Sequence, residues 1–142
     1  MRKPNDFIGF QIIQIKTEEF AVLPELFDEN NTEISLGLDF AFGLDKSERV
    51  IACTAEIKFL QSDRPFIKLK ITNSYLIEEE SWQRLQEDGK FIIPKGFTTH
   101  LLVLTIGTLR GVLHAKTEGT DFNKFVLPTL NVADLINEDL VL

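Results

Sequence analysis

The 142-residue sequence predicts an α+β fold: a four-stranded antiparallel meander with a long helix and a short C-terminal helix on one face. Three observations carry this. Strand-like segments fill the first half of the chain and helix-like segments the second. Residues 34–44 alternate between apolar and small or polar side chains without a break. The longest apolar segment, Ile92 to Ala115, contains no hairpin signal and no proline beyond Pro94. The length suits one domain, residues 1–142, able to bury a core without staples.

Residues 7–22 read as the first strand. Ile8, Phe10 and Ile12 alternate, and Ile13 and Ile15 continue on the opposite phase, so a bulge is expected between them. Pro24 ends the strand, and Glu25 to Glu33 form an acidic loop. In the second strand Ile34, Leu36, Leu38, Phe40, Phe42 and Leu44 share a face expected to lie buried under the helices. Asp45-Lys46-Ser47-Glu48 turns the chain into residues 49–60, where Ile51, Cys53, Ala55, Ile57 and Phe59 share a side. Gln61 to Arg64 turns it again into residues 65–77. Short connections of this kind favour a meander.

Glu78 to Gly89 changes character. Trp82 and Leu85 stand three apart, Ser81 suits a cap and Gly89 a stop, which predicts a short helix. The long helix follows, with Pro94 in its first turn. Its apolar residues run nearly all round, so burial on more than one side is expected. Val103, Gly107, Gly111 and Ala115 lie on one stripe, where small side chains let another backbone come close. The stripe either packs on the protein's own sheet or forms a helix contact between subunits. A bilayer span is not expected, because His100 and Arg110 leave only nine residues between them. After a loop from about Glu118 to Leu130, Asn131 with Asp134 resembles a cap for a short last helix carrying Val132, Leu135 and Ile136.

Composition narrows the function. A net charge of −7 with scattered basic residues argues against nucleic acid as a ligand. One cysteine, Cys53, leaves no intrachain disulfide framework and fits a reducing compartment. No apolar signal segment precedes Asp6, so a cytoplasmic protein is expected. Catalytic groups do not converge. His100 and His114 stand about 21 Å apart along one helix, too far to share a metal within a chain. Cys53 has no CxxC partner, and nucleophile-elbow, zinc-protease and phosphate-loop motifs are missing. The expectation is therefore no enzyme, no metal and no cofactor.

Three stretches together resemble the SecB-type export chaperones. Phe10-Gln11-Ile12 with Ile15, Thr17 and Glu19 is similar to that family's first strand. Ile92-Ile93-Pro94 resembles the start of its long helix. Gly119-Thr120, Leu127-Pro128 and Asn131-Val132 with Leu135 resemble the run into its last helix. The resemblance implies an ATP-independent holdase that binds unfolded or preprotein chains in apolar grooves. It also implies a homotetramer built as a dimer of dimers, with partners in the Sec translocase or in toxin–antitoxin systems. Phe122 and Phe125, in loops beside the helix, and Phe97 are the candidate client-binding residues, although loop anchoring is the other reading of the first two. Val103, Gly107, Gly111 and Ala115 are the candidate subunit interface. Glu19 matches an acidic position used for docking the translocase motor. The fourth strand departs from the family, with Lys68, Leu69 and Lys70 where an acidic residue is expected. The alternative function is a structural or adaptor subunit of the same fold that binds one folded partner.

Overall fold

Side chains that alternate strictly between core and solvent set the layers. A computed structural model describes residues 7–142. Strands β1 (Phe10–Val22), β2 (Ser35–Asp45), β3 (Val50–Gln61) and β4 (Arg64–Ile77) form one antiparallel sheet. In β3, Ile51, Cys53, Ala55, Ile57 and Phe59 are buried, and in β4 so are Ile67, Leu69, Ile71, Tyr75 and Ile77. These residues oppose one another across the ladder and make one face of the core. The strand order is β1-β4-β3-β2. The meander thus runs through β2, β3 and β4, while β1 adds beside β4 at the far edge. The acidic loop after β1, with its 3₁₀ turn Pro24–Leu26, carries the chain to the opposite edge.

The phase break in β1 is a bulge. Its register against β4 shifts between Ile12 and Gln14 and again between Thr17 and Glu19. The even face of β2 does turn toward the core. Leu36, Leu38, Phe40, Phe42 and Leu44 pack against it, but only half-buried, because β2 is an edge and the long helix lies over β3 and β4. Ile34, just before the strand, is exposed.

The segment after β4 is built differently from the sequence reading. Helix α1 is Glu79–Arg84, and a hairpin of β5 (Gln86–Glu87) and β6 (Lys90–Ile93) follows it. Asp88 and Gly89 have φ of 52° and 77°, so they form a two-residue hairpin loop and not a helix stop. Ser81 does not cap α1; its Oγ accepts from Gly9 N at 2.9 Å and ties the start of the chain down. Ile92 and Ile93 belong to β6, so helix α2 begins at Lys95 and runs to Thr117, with Pro94 at its N-cap. The cap bond comes from the far end of the chain, where an Asp139 carboxylate oxygen accepts from Lys95 N at 2.9 Å. The last helix is a 3₁₀ turn, Val132–Leu135, in which Asn131 Nδ2 donates to Asp134 Oδ2 at 2.8 Å. It cannot propagate, since Ile136 is already extended. The chain then closes with β7 (Leu140–Val141) against β6.

Helix α2 is long and apolar enough to cross a membrane by length and composition, and here one face of it covers the sheet. Leu101, Leu102, Ile106, Leu109 and Leu113 are buried, each worth about 1.5–3 kcal/mol on transfer from water. A polar row runs through this contact. The Tyr75 hydroxyl lies 2.8 Å from Thr105 Oγ1 and donates to Leu101 O at 3.3 Å. Asn73 Nδ2 donates to Tyr75 Oη at 3.1 Å and to Thr108 Oγ1 at 3.0 Å. Asn73 Oδ1 is buried and has no partner among the described residues.

Cys53 lies beside this row, and burial pushes its thiol up to about 11, against a smaller opposing effect of a hydrogen bond with Thr105. The contribution of the neutral thiol is complete below the unfolded value of about 8.5 and is lost as pH climbs toward 11. Iodoacetamide at pH 8 should therefore label Cys53 only at the rate of unfolding, read by mass spectrometry across a denaturant series. Fast labelling of the native protein would contradict the burial. Phe40→Ala, at a half-buried edge position, should cost about 2 kcal/mol, below the roughly 3–5 of a fully buried phenylalanine. Chemical denaturation measures the difference.

Candidate interaction surface

The outward face of α2 is uncovered. Val103 is 47% and Leu104 38% exposed, and Gly107, Gly111 and Ala115 are exposed with them. A Cβ built on either glycine would meet nothing within 4 Å. The small-residue stripe therefore does not pack on the protein's own sheet, and α2 is not buried on more than one side. No charged residue lies between Lys95 and Arg110. Arg110 is itself tied down, since Nε donates to Leu127 O and Nη2 to Pro128 O, both at 2.9 Å.

Two apolar flanks extend this face. On one side a hollow of about 380 Å³ lies between α2 and the following segment. Leu113 and Phe125 line it together with the two glycines and Val126, which is 58% exposed. On the other side Ile12 and Ile15 of β1 stand opposite Tyr75 and Asn73, at 47% and 55% exposure. His100 packs edge-on to Phe10 with ring centroids 5.7 Å apart, and Lys116 stands over Phe20 at 5.4 Å, so α2 runs alongside β1 over that whole length. Exposed apolar side chains thus stand on the β1 edge, along α2 and at Val126, with His100, Arg110, His114 and Lys116 among them.

The phenylalanines suggested as client contacts are placed otherwise. Phe97 is buried in the first turn of α2, with its ring edge-on to Phe10 at 5.3 Å. Phe122 lies in the 3₁₀ turn Asp121–Lys124 and Phe125 directly follows it, and both are half-buried. They join Phe27, Phe59 and Phe66 in one aromatic cluster, with Phe125–Phe66 at 5.1 Å and Phe122–Phe27 at 5.5 Å. The cluster anchors the loop after α2 to the loop after β1. Phe97 is thus taken up in the core, whereas Phe125 both joins the cluster and lines the hollow beside α2.

The solvent face of the sheet carries a charge chain. Glu19 pairs with Lys68 at 2.9 Å, Lys68 reaches Glu56 at 3.9 Å, and Lys58 meets Glu56 at 3.3 Å. The Lys68 ammonium, by its hydrogen bond and its charge, holds the Glu19 carboxyl below the usual carboxylate range. Glu19 is exposed, and its charge is already paired with that of Lys68. His114 Nδ1 lies 3.3 Å from Asn123 Nδ2, away from His100. Among the described residues no three His, Cys, Asp or Glu side chains gather as a metal site.

No protein-family model matches the chain, and no curated protein does. Among solved structures, the chain is similar to a SecB-like chaperone of Mycobacterium tuberculosis, in complex with a peptide from an antitoxin. The TM-score is 0.46 at 12% identity, over 86% of this chain and 91% of that one. It is also similar to a protein of unknown function from Streptococcus agalactiae, with TM-score 0.38, 15% identity, and 88% and 98% coverage. These likenesses are distant, and the α+β fold class stands on the elements described above.

Gly111→Leu meets no atom of its own protomer, and leucine favours a helix over glycine by roughly 0.8–1 kcal/mol. The variant should fold with a protomer at least as stable as the wild type, and, if the stripe joins subunits, its solution mass should fall. Circular dichroism and light-scattering mass check this. An unfolded subunit would contradict the outward placement, and an unchanged mass would remove the stripe from any subunit contact.

Proposed function

We propose that the chain is an ATP-independent, cofactor-free chaperone of the cytoplasm, a holdase that keeps unfolded or preprotein chains in solution. The observation that carries this reading is the exposed apolar surface of Ile12 and Ile15, of α2 and of Val126, which has no cover among the described residues. Burial of apolar surface is non-directional, so such a surface suits partners of varied sequence. The net charge of −7 keeps a protein with this much open apolar surface soluble. The sequence resemblance to SecB-type chaperones supports the same reading. In it, Val103, Gly107, Gly111 and Ala115 meet the same stripe of a second subunit in an isologous contact, one of the two kinds of interface that a dimer of dimers needs. The flanks at β1 and Val126 remain for clients. Glu19, paired with Lys68, is a weak docking point for a translocase motor, so coupling to export is secondary in this proposal.

A second reading, an adaptor or structural subunit serving one folded partner, for example in a toxin–antitoxin–chaperone system, is favoured by the use of the aromatic rings. Phe97 is buried and Phe122 is half-buried in the aromatic cluster, and Phe7 is the most open ring among the described residues, at 74%. A diluted, denatured client followed by light scattering separates the two. A holdase at several-fold excess suppresses the scattering of several unrelated clients in the absence of ATP. Suppression of none of them would leave the adaptor reading.

A further inference from the structure

The four-stranded sheet has two edges, and they differ. The β1 edge is broken by two bulges and carries Lys16, Glu18 and Glu19. The β2 edge pairs with β3 residue by residue from Ser35 to Asp45 without a register shift. It contains no proline, lysine or arginine, the devices that ordinarily guard an open edge.

The direction of its free backbone groups follows from one bond. Ile77 N donates to Arg49 O at 2.8 Å, so the odd residues of β3 bond toward β4 and the even ones toward β2. The β2 partners of those even residues are Ser35, Gly37, Asp39, Ala41, Gly43 and Asp45. The N–H and C=O groups of Leu36, Leu38, Phe40, Phe42 and Leu44 are therefore turned to the open side. No backbone hydrogen bond reaches them among the described residues. The side chains of the same five residues lie half-buried on the core side, so an added strand would extend their apolar row.

Charge says what that strand carries. Asp39 stands directly opposite Glu56, a like-charge pair that weakens the isolated sheet. Glu56 has Lys58 and Lys68, while Asp39 has no ion-pair partner among the described residues. From Thr17 to Asp45 the chain holds eight acidic residues and no lysine or arginine. We infer that the β2 edge binds an extended segment of another protein, added as an antiparallel strand, with apolar residues facing the core side and lysine or arginine between them beside Asp39. A second copy of β2 is disfavoured, because it would set Asp39 and Asp45 against their own acidic neighbourhood. This edge is separate from the apolar surface on α2, so a failed holdase assay leaves the inference standing.

The probe is a labelled peptide of about nine residues, the span Leu36–Leu44, alternating valine with lysine, read by fluorescence anisotropy. In an antiparallel addition, residues that bond to Leu36–Leu44 also share their face, so the valine N–H groups face the edge. N-methylation of the valines should weaken binding about tenfold or more, and N-methylation of the lysines should leave it unchanged. Exchange of lysine for glutamate, or added salt, should also weaken it. Asp39→Lys should lose the peptide yet melt no lower than wild type, since the new ammonium would face Glu56. Equal binding of the two N-methylated peptides would overturn the inference, and so would no binding of the parent peptide.

Discussion

The seating of α2 on β3 and β4 decides the rest of the molecule. Five aliphatic side chains supply most of that contact, but aliphatic burial alone would tolerate a rotated or shifted helix. The polar row of Tyr75, Asn73, Thr105 and Thr108 does not. Its hydrogen bonds lie between fully or nearly buried partners, where a displaced helix would strand them at about 1–3 kcal/mol each. The row thus fixes which stripe of α2 faces in, and so which stripe faces out. Gly107 and Gly111 are on the outer one because Thr105 and Leu109 are on the inner one.

The order β1-β4-β3-β2 has consequences of the same kind. Placing β1 beside β4 leaves both the first and the second strand as edges, and obliges the chain to travel from one edge to the other between them. That passage is the acidic loop, held by Phe27 in the aromatic cluster and by Gln61, whose amide Nε2 donates to Asp28 O and Asn31 O. The phenylalanines thus close one end of the molecule. The other end is closed by the C-terminal segment, through β7 on β6 and Asp139 at the start of α2. Both closures join parts of the chain that lie far apart in sequence, tying loops and short segments to the ends of long strands and of α2.

The protomer that results is well filled between α2 and the sheet and unfinished at its borders. One border is apolar, along α2 and β1. The other is a strand edge with an acidic flank. Hydrophobic burial governs the first and is indifferent to sequence, whereas backbone pairing and charge govern the second and select by spacing. The two borders draw on different residues and on different physical forces.

The sequence by itself determined the strands, because an alternation of period two leaves one arrangement of faces. It determined the β1 bulge through the phase break at Ile13, and the existence of a long helix through a run without breakers. The small stripe of α2 was legible in the sequence, but its direction was not, since period 3.6 cannot say which of two apolar faces a sheet will take. The hairpin at Asp88-Gly89 carried a readable turn signal that the nearby helix pattern of Trp82 and Leu85 obscured. Phe97, Phe122 and Phe125 could be seen as aromatic but not as buried or clustered, because their neighbours Phe10, Phe27, Phe59 and Phe66 come from distant strands and loops. Only the tertiary structure set β1 beside β4, shortened the last helix to a 3₁₀ turn and left β2 open. Each of those outcomes depends on which surfaces meet across the chain, and local preference carries no record of that.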